Sequence, residues 1–232
     1  MGVLYRPVGT HLDAEYTDMT ARGLAAWAGA PSAGERIPAD ALRKRLGVTS
    51  GRLFAPTGAL VDLHAALVSL ATVDADVDVV PANSLHFTFL ALAWDHYASA
   101  EEVPNTSQLR PLFAARTRDI PFRLEQLRLV AIPGALLLAG IPDHASAAAR
   151  AGLAADLMAA DWAPHITERY RGYPFPPRIW HTTLARSRRQ FATPGMRALF
   201  AEHRDSAFDD LALGPPWLVA ANYNWTLLTP LD

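Results

Sequence analysis

The sequence predicts an α+β domain made of two similar halves, and three observations indicate this class. The chain has 232 residues, half of them hydrophobic, which is enough for one large domain with a substantial core. From about residue 51, strand-like and helix-like segments interleave twice. Two of the strand-like runs, one in each half of that region, carry a histidine and a threonine two residues apart. A duplicated, pseudo-symmetric domain would produce this pattern.

The first fifty residues differ from the rest of the chain. The runs MTARGLAAWAGAP and PADALRKRLG are typical of short helices that are separated by proline and glycine. A separate domain of this size would bury too little apolar surface to be more than marginally stable. We therefore expect residues 1–50 to form a helical extension that packs on a main domain of residues 51–232.

The main domain alternates between the two kinds of pattern. Strands are predicted, in order, in GRLFAP, VDVVP, LHFTFLALAW, FRLEQLRLVAI, ALLLAGI, RIWHTTLAR, FDDLAL and WLVAANYNWTLLTP. Helices are predicted in GALVDLHAALVSLAT, QLRPLFAAR, HASAAARAGLAADLMAAD and PGMRALFAEHR, the first of which has leucines at helical spacing.

Composition and charge narrow the classes of function. The net charge of −2 does not favour an extended nucleic-acid surface, although a few local arginines could hold a nucleotide. The absence of cysteine excludes disulfide scaffolds, thiolate nucleophiles and cysteine-ligated zinc. The first residues lack the apolar core of a signal peptide, and no apolar run approaches 18 residues. We therefore expect a cytoplasmic protein without a membrane span.

The two polar strand patterns are SLHFTFLAL, residues 84–92, and RIWHTTLAR, residues 178–186. Alternate side chains of a strand point to the same face. His86 and Thr88 should therefore share one face, as should His181 and Thr183. The opposite faces are mostly apolar, with Leu85, Phe87 and Phe89 in the first strand and Trp180, Thr182 and Leu184 in the second. If the strands are adjacent, both pairs converge on one groove.

Two imidazoles and two hydroxyls in one groove suit the cleavage of a cyclic phosphodiester. A neutral imidazole can take a proton from water while a protonated one gives a proton to the leaving oxygen. Threonine hydroxyls can donate hydrogen bonds to the phosphate oxygens as charge develops there. No metal or other cofactor is needed when the leaving group is a ribose oxygen released from a strained ring.

The stretches LHFTF and WHTTLAR resemble the paired H-x-T-x motifs of the 2H phosphoesterase superfamily, which includes 2′-5′ RNA ligase-like proteins and 2′,3′-cyclic nucleotide phosphodiesterases. The resemblance covers about residues 51–232. It implies a bilobal α+β fold with a pseudo-two-fold axis and antiparallel sheets lining a central groove. It also implies His86, Thr88, His181 and Thr183 as catalytic residues, and a nucleotide-like phosphodiester or a short RNA end as the partner.

Two features depart from the family pattern. The segment before the first motif is long, and Trp180 stands where the family often has proline. A competing H-x-T occurs in APHITERY, residues 163–170, but Glu168 follows its threonine and no strand-like run surrounds it. We therefore prefer His181 to His165, which we interpret as a loop histidine.

Residues around the second motif are candidates for binding the substrate. Trp180 and Tyr173, with Tyr170 and Phe175, are candidates for stacking on a base. Arg186 is a candidate for holding phosphate, although its odd offset from His181 would turn it away in a regular strand. Five further arginines near the motif are candidates for the same role: Arg169, Arg171, Arg178, Arg188 and Arg189. His64 and three aspartates, Asp74, Asp76 and Asp78, are interpreted as a solvated turn more than a metal site.

Three functions remain open at this stage. The first is a metal-independent phosphodiesterase that acts on a cyclic phosphate or a 2′-5′ linkage. The second is the same fold adapted to a dedicated small-metabolite reaction. The third is a module that binds a nucleotide or an RNA end without turnover.

Overall fold

The computed structural model describes residues 8–30, 32–37, 45–94 and 96–231. The helices in these ranges are α1 Val8–Ala28, α2 Ala59–Val73, α3 Thr106–Thr117, α4 His144–Met158, α5 Ala163–Arg169 and α6 Pro194–His203. The strands are β1 Gly47–Leu53, β2 Val77–Val79, β3 His86–Ala91, β4 Phe122–Ile132, β5 Ala135–Pro142, β6 His181–Ser187, β7 Leu211–Leu213, β8 Trp217–Ala221 and β9 Leu228–Pro230. None of these helices is long and apolar enough to cross a membrane.

The strands form two antiparallel sheets, which confirms the predicted α+β class. One sheet has the order β3-β1-β8-β9 and the other β2-β6-β5-β4-β7. The two H-x-T strands lie in different sheets, β3 at the edge of the first and β6 inside the second. Because β3 also contacts β6, the two sheets meet at these strands.

Apolar sequence patterns account for the core between the layers. All eight residues of β5 are buried, as expected for a strand that is covered on both faces. Helix α1 packs against β4 and β5, and α2 packs against α6. The apolar residues expected behind the histidines, Leu85, Phe87, Phe89 and Leu184, are all buried.

Helix α1 is joined to the second sheet and to the segment before β6 by buried hydrogen bonds. The short helix predicted from Met19 is longer, and it begins at Val8. The buried hydroxyl of Tyr16 donates to the carbonyl of Gly140 at 2.8 Å and accepts from the backbone N–H of Trp180 at 3.0 Å. Burial raises the pKa of this phenol to about 12, so it remains a donor.

The predicted boundary at residue 50 falls inside a strand. Strand β1 begins at Gly47 and pairs with both β3 and β8. Residues 47–50 therefore belong to the middle of the first sheet and not to an extension. The helix predicted in PADALRKRLG falls mainly on residues 38–44, which lie outside the described residues.

The anchoring of α1 can be tested with Tyr16→Phe. The change leaves buried backbone groups of Gly140 and Trp180 without their partner, and such groups cost about 1–3 kcal/mol each. We expect a lower free energy of unfolding, measured by urea titration. Thr17→Ala is the matched control, because Thr17 is exposed and its hydroxyl bonds only one turn back, to Asp13. Equal stability of the two variants would contradict the anchoring role.

Candidate active site

Both H-x-T pairs line one cavity of about 370 Å³ between the two sheets. His86 and Thr88 enter it from β3, and His181 and Thr183 enter it from β6. The cavity is also lined by residues of α4, α5, the segment before β6, and the turn between β8 and β9. The structure therefore brings together the four residues that the sequence singled out.

Each motif strand contains one extra residue directly after its threonine. In β3, Thr88 pairs with Gly51 and Leu90 pairs with Ser50, so that the residue between them, Phe89, has no partner. In β6, the pairing likewise skips from Thr183 to Ala185. A bulge of this kind shifts the alternation of side chains by one position.

The bulge in β3 needs a glycine on the neighbouring strand. A Cβ atom on Gly51 would lie 2.2 Å from the carbonyl oxygen of Phe87, which is closer than any real contact. Gly51 therefore allows β1 and β3 to approach at the point where the register changes.

Because of the bulge in β6, the side chain of Arg186 points in a different direction from the one predicted. A regular strand would turn this side chain away from His181, but after the bulge it lines the same cavity. Its Nη2 donates to Thr183 Oγ1 at 3.1 Å, and Nη1 donates to the side chain of Asn224. The hydroxyl proton of Thr183 is then free to point toward a ligand, because its oxygen is the acceptor.

His86 is held in one tautomer by its surroundings. Its Nδ1 lies 2.9 Å from the carbonyl oxygen of Ser84, which can only accept, so Nδ1 carries the proton. Its Nε2 is therefore unprotonated when the ring is neutral. The ring stacks on Trp225 with centroids 4.2 Å apart and planes 8° from parallel.

Trp225, which stacks on His86, has a strained backbone conformation. Its φ angle is +54°, a conformation that side chains larger than glycine rarely adopt. Its N–H donates to the carbonyl of Asn222 at 2.9 Å, and its side chain is 5% exposed. Such strain persists when the surrounding contacts stabilise it, and it is common at functional sites.

Both imidazoles are neutral at pH 7. Burial lowers the pKa of His86 to about 3 and outweighs the hydrogen bond to Ser84, which raises it, while the positive charges of Arg186 and His181 lower the pKa further. Burial also lowers the pKa of His181 to about 4, and the positive charges of Arg186 and Arg150 act in the same direction. An anion bound between these groups would offset the repulsion and raise both values.

Arg150 of α4 fixes the segment that leads into β6. Its guanidinium donates to the carbonyls of Pro177 at 2.6 Å, Ile179 at 3.1 Å and Arg178 at 3.2 Å. It also lies 3.6 Å from the centre of the Trp180 ring. Burial lowers the pKa of Arg150 to about 9, which still leaves it charged at neutral pH.

Two of the proposed substrate-binding aromatic residues are not in position to stack on a base. Trp180 is 2% exposed and packs in the core against Phe89 and Phe122, because it occupies the face of its strand opposite to His181. Tyr173 is 74% exposed and lies outside the residues that line the cavity. Tyr170 lines it instead and donates to the carbonyl of Ala91 at 2.9 Å.

The competing H-x-T lies on a helix and not in a loop. His165 and Thr167 belong to α5, where residues two apart do not share a face. Thr167 bonds back to the carbonyl of Ala163, and the His165 ring lies 5.0 Å from that of Trp162. Neither lines the cavity.

The acidic stretch between α2 and β2 serves as a set of ion-pair partners, which corrects the interpretation of a solvated turn. Asp76 pairs with Arg189 and Arg36, and the pKa of Asp76 is lowered by the hydrogen bond from Arg189. Asp78 accepts from the Tyr223 hydroxyl at 2.8 Å. His64 is buried against the carbonyl of Val80 at 2.9 Å. Within the described ranges no cluster of three or more potential metal ligands occurs.

Sequence reasoning missed several residues that line the cavity. They come from α4, the segment after β3 and the turn after β8: Arg150, Trp94, Asn222, Tyr223 and Trp225. Arg169 of α5, one of the arginines named as candidates from the sequence, also lines the cavity. Most are far from either motif in sequence, and only the polar run ANYNW just after an apolar strand marks one of these segments. The lining residues in the described part of the chain include three arginines and no carboxylate.

Comparisons with known proteins add little to this picture. No model of a protein family matches the chain, and no curated protein matches it. The crystal structure of TT0787 of Thermus thermophilus is similar with a TM-score of 0.43 and 20% identity, over 80% of this chain and 95% of that one. A conserved protein of unknown function from Agrobacterium tumefaciens is similar with a TM-score of 0.39 and 16% identity, over 86% of this chain and 91% of that one. Likenesses this weak bear on no function.

The electrostatic role of Arg186 can be measured directly. Arg186→Gln removes a positive charge that lowers the pKa of both His86 and His181, so both values should rise toward 6.5. The rise should be partial, because burial is the larger cause. NMR titration of the imidazole carbon-bound protons would show it. Arg188→Gln is the control just after the same strand, and it should change the pKa of neither histidine. Unchanged titration in Arg186→Gln would contradict the assignment.

Proposed function

We propose that the protein is a metal-independent phosphodiesterase of the 2H type, acting on a 2′,3′-cyclic phosphate or a 2′-5′ linkage. One observation carries the proposal: two H-x-T pairs from two different sheets line one cavity whose described lining contains arginines and no carboxylate. Such a lining attracts an anion. In this proposal the two imidazoles act on either side of the bound phosphate.

The hydrogen bonds of the cavity favour distinct roles for the two histidines. His86 presents an unprotonated Nε2, which suits a general base that takes a proton from water. As that water oxygen bonds to phosphorus, the bond from phosphorus to the ribose oxygen breaks. In this proposal His181, once protonated, gives its proton to the leaving oxygen. Exchange with solvent then returns both rings to their starting states.

The other groups would stabilise negative charge on the phosphate. Thr183 can donate its hydroxyl proton because Arg186 supplies a donor to its oxygen. Thr88 lines the same cavity from the opposite strand. Donors placed before the reaction stabilise a developing charge without reorganisation, which is why they contribute strongly to catalysis.

Turnover and its dependence on the motif histidines test the proposal. We expect the wild type to hydrolyse a 2′,3′-cyclic nucleotide in the presence of EDTA. His86→Ala and His181→Ala should each lose about 10²–10⁴-fold in kcat, the usual contribution of a general acid or base. His165→Ala should retain its activity, because His165 lies on α5 outside the cavity.

The same variants can separate the acid from the base. A phosphodiester with a p-nitrophenolate leaving group needs little protonation, so His181→Ala should recover most of its loss on that substrate, whereas His86→Ala should not. The reverse result would exchange the two roles. Binding of a cyclic nucleotide without any hydrolysis would replace the enzyme with a binding module.

The pH dependence of the two kinetic constants should differ. The base must be neutral, which holds above a pKa of about 3, and the acid must be protonated, which holds in the free protein only below about 4. We therefore expect kcat/KM to fall as pH rises from 5 to 7, by about tenfold per unit for a single required proton. The profile of kcat should lie at higher pH, because bound phosphate raises the pKa of the acid.

Circular dichroism at each pH would confirm that the protein stays folded across this range. A value of kcat/KM that rises between pH 5 and pH 7 would contradict the assigned protonation states.

A further inference from the structure

We propose that the far end of the cavity is a second anion site, formed by Arg169 with Trp94, so that the substrate is a phosphodiester carrying an additional phosphate. This inference rests on the proposed function for the reaction, but binding at the second site does not depend on turnover.

Arg169 lies at the opposite end of β3 from the first histidine. Tyr170 donates its hydroxyl to the carbonyl of Ala91 at 2.9 Å, and Arg169 reaches the carbonyl of Ala93 at 3.5 Å. His86 begins the same strand. Five residues at about 3.3 Å each separate the backbones of His86 and Ala91, on the order of 16 Å. One phosphate held by the histidines cannot also occupy the end at Ala91.

Arg150 and Arg186, the other two arginines that line the cavity, donate hydrogen bonds away from the end at Ala91. Arg150 directs its guanidinium to three carbonyls before β6. Arg186 donates to Thr183 beside the histidines. Arg169 has five N–H donors; one contacts the carbonyl of Ala93 at the long distance of 3.5 Å, and the guanidinium also hydrogen-bonds the side chain of Tyr170. Its remaining donors are available to an anion in the cavity, which Arg169 lines.

Trp94 holds the guanidinium in place without neutralising it. The ring centre lies 4.3 Å from Arg169 Cζ, and Trp94 is 46% exposed. An aromatic face stabilises a cation but leaves its charge available. A planar guanidinium held this way presents paired N–H donors, the arrangement that recognises phosphate in a bidentate manner.

The motif strands themselves leave space at this end. The residue three positions after Thr183 is Arg186, which fills the cavity beside the second histidine. The residue three positions after Thr88 is Ala91, which also lines the cavity but has only a methyl side chain. The first half therefore lacks the arginine that the second half has, and Arg169 from α5 supplies a positive charge to the open space.

Matched probes test the site. Equilibrium binding would compare adenosine 2′-monophosphate with adenosine 2′,5′-bisphosphate, which adds one phosphate and cannot be turned over as a cyclic diester. We expect the wild type to bind the bisphosphate at least about tenfold more tightly, a modest gain for one charge-assisted phosphate contact. Arg169→Met should lose this preference and bind both probes alike. Arg171→Met is the control, because Arg171 is exposed and lies outside the lining residues.

Two further variants guard against loss of folding. Arg169→Lys keeps the charge and should retain part of the preference, and Trp94→Leu should weaken it. Kinetics would then compare a 2′,3′-cyclic nucleotide with and without a 5′-phosphate, with the phosphate expected to lower KM in wild type but not in Arg169→Met. Equal binding of both probes to the wild type would overturn the second site. Tight bisphosphate binding without hydrolysis of either cyclic substrate would overturn the proposed enzyme and leave the site standing.

Discussion

The single extra residue that follows each motif threonine is the constraint on which the geometry of the cavity depends. Without it, Thr183 and Arg186 would point to opposite faces of β6, and the guanidinium would lie in the second sheet's core. With it, the arginine bonds the threonine oxygen and lies among the catalytic candidates. Gly51 makes the equivalent irregularity possible in β3, because a side chain there would collide with the backbone of Phe87. The two bulges thus determine which side chains face the cavity.

Positive charge predominates among the described residues that line this cavity. The walls carry guanidinium groups, the described lining carries no carboxylate, and burial keeps both imidazoles neutral. Positive charge on the cavity walls favours the binding of an anion. An anion that enters relieves the repulsion between guanidinium and imidazolium, and it thereby makes the protonated state of a histidine accessible. Binding and proton uptake are coupled by the same interactions.

Period-two alternation explains what the sequence could predict. It placed His86 and Thr88 on one face and Leu85 and Phe87 on the other, and it put Trp180 opposite His181, which is why that tryptophan is in the core and not available for stacking. Phe89, the extra residue of the bulge, was expected behind the groove but also lines the cavity. The α+β class followed from the same patterns. The bulge in β6 could not be predicted, because no residue type marks it. The predicted direction of the Arg186 side chain was wrong for that reason. Helix α5 was missed because a short segment gives a weak periodic signal.

Helix α1 supports the backbone of the second motif, although it is distant from both motifs in sequence. Tyr16 accepts a hydrogen bond from the backbone of Trp180, the residue directly before His181, and Arg150 holds the carbonyls of the three residues before that. Most of the backbone that leads into the second motif is therefore fixed by side chains from α1 and α4. Because an imidazole must be placed to within a fraction of an ångström to transfer a proton efficiently, we expect these two helices to matter for the position of His181 and not only for stability. The division into an extension and a main domain describes the sequence pattern, whereas the network of hydrogen bonds joins residues 16, 140, 150 and 177–181 into one unit.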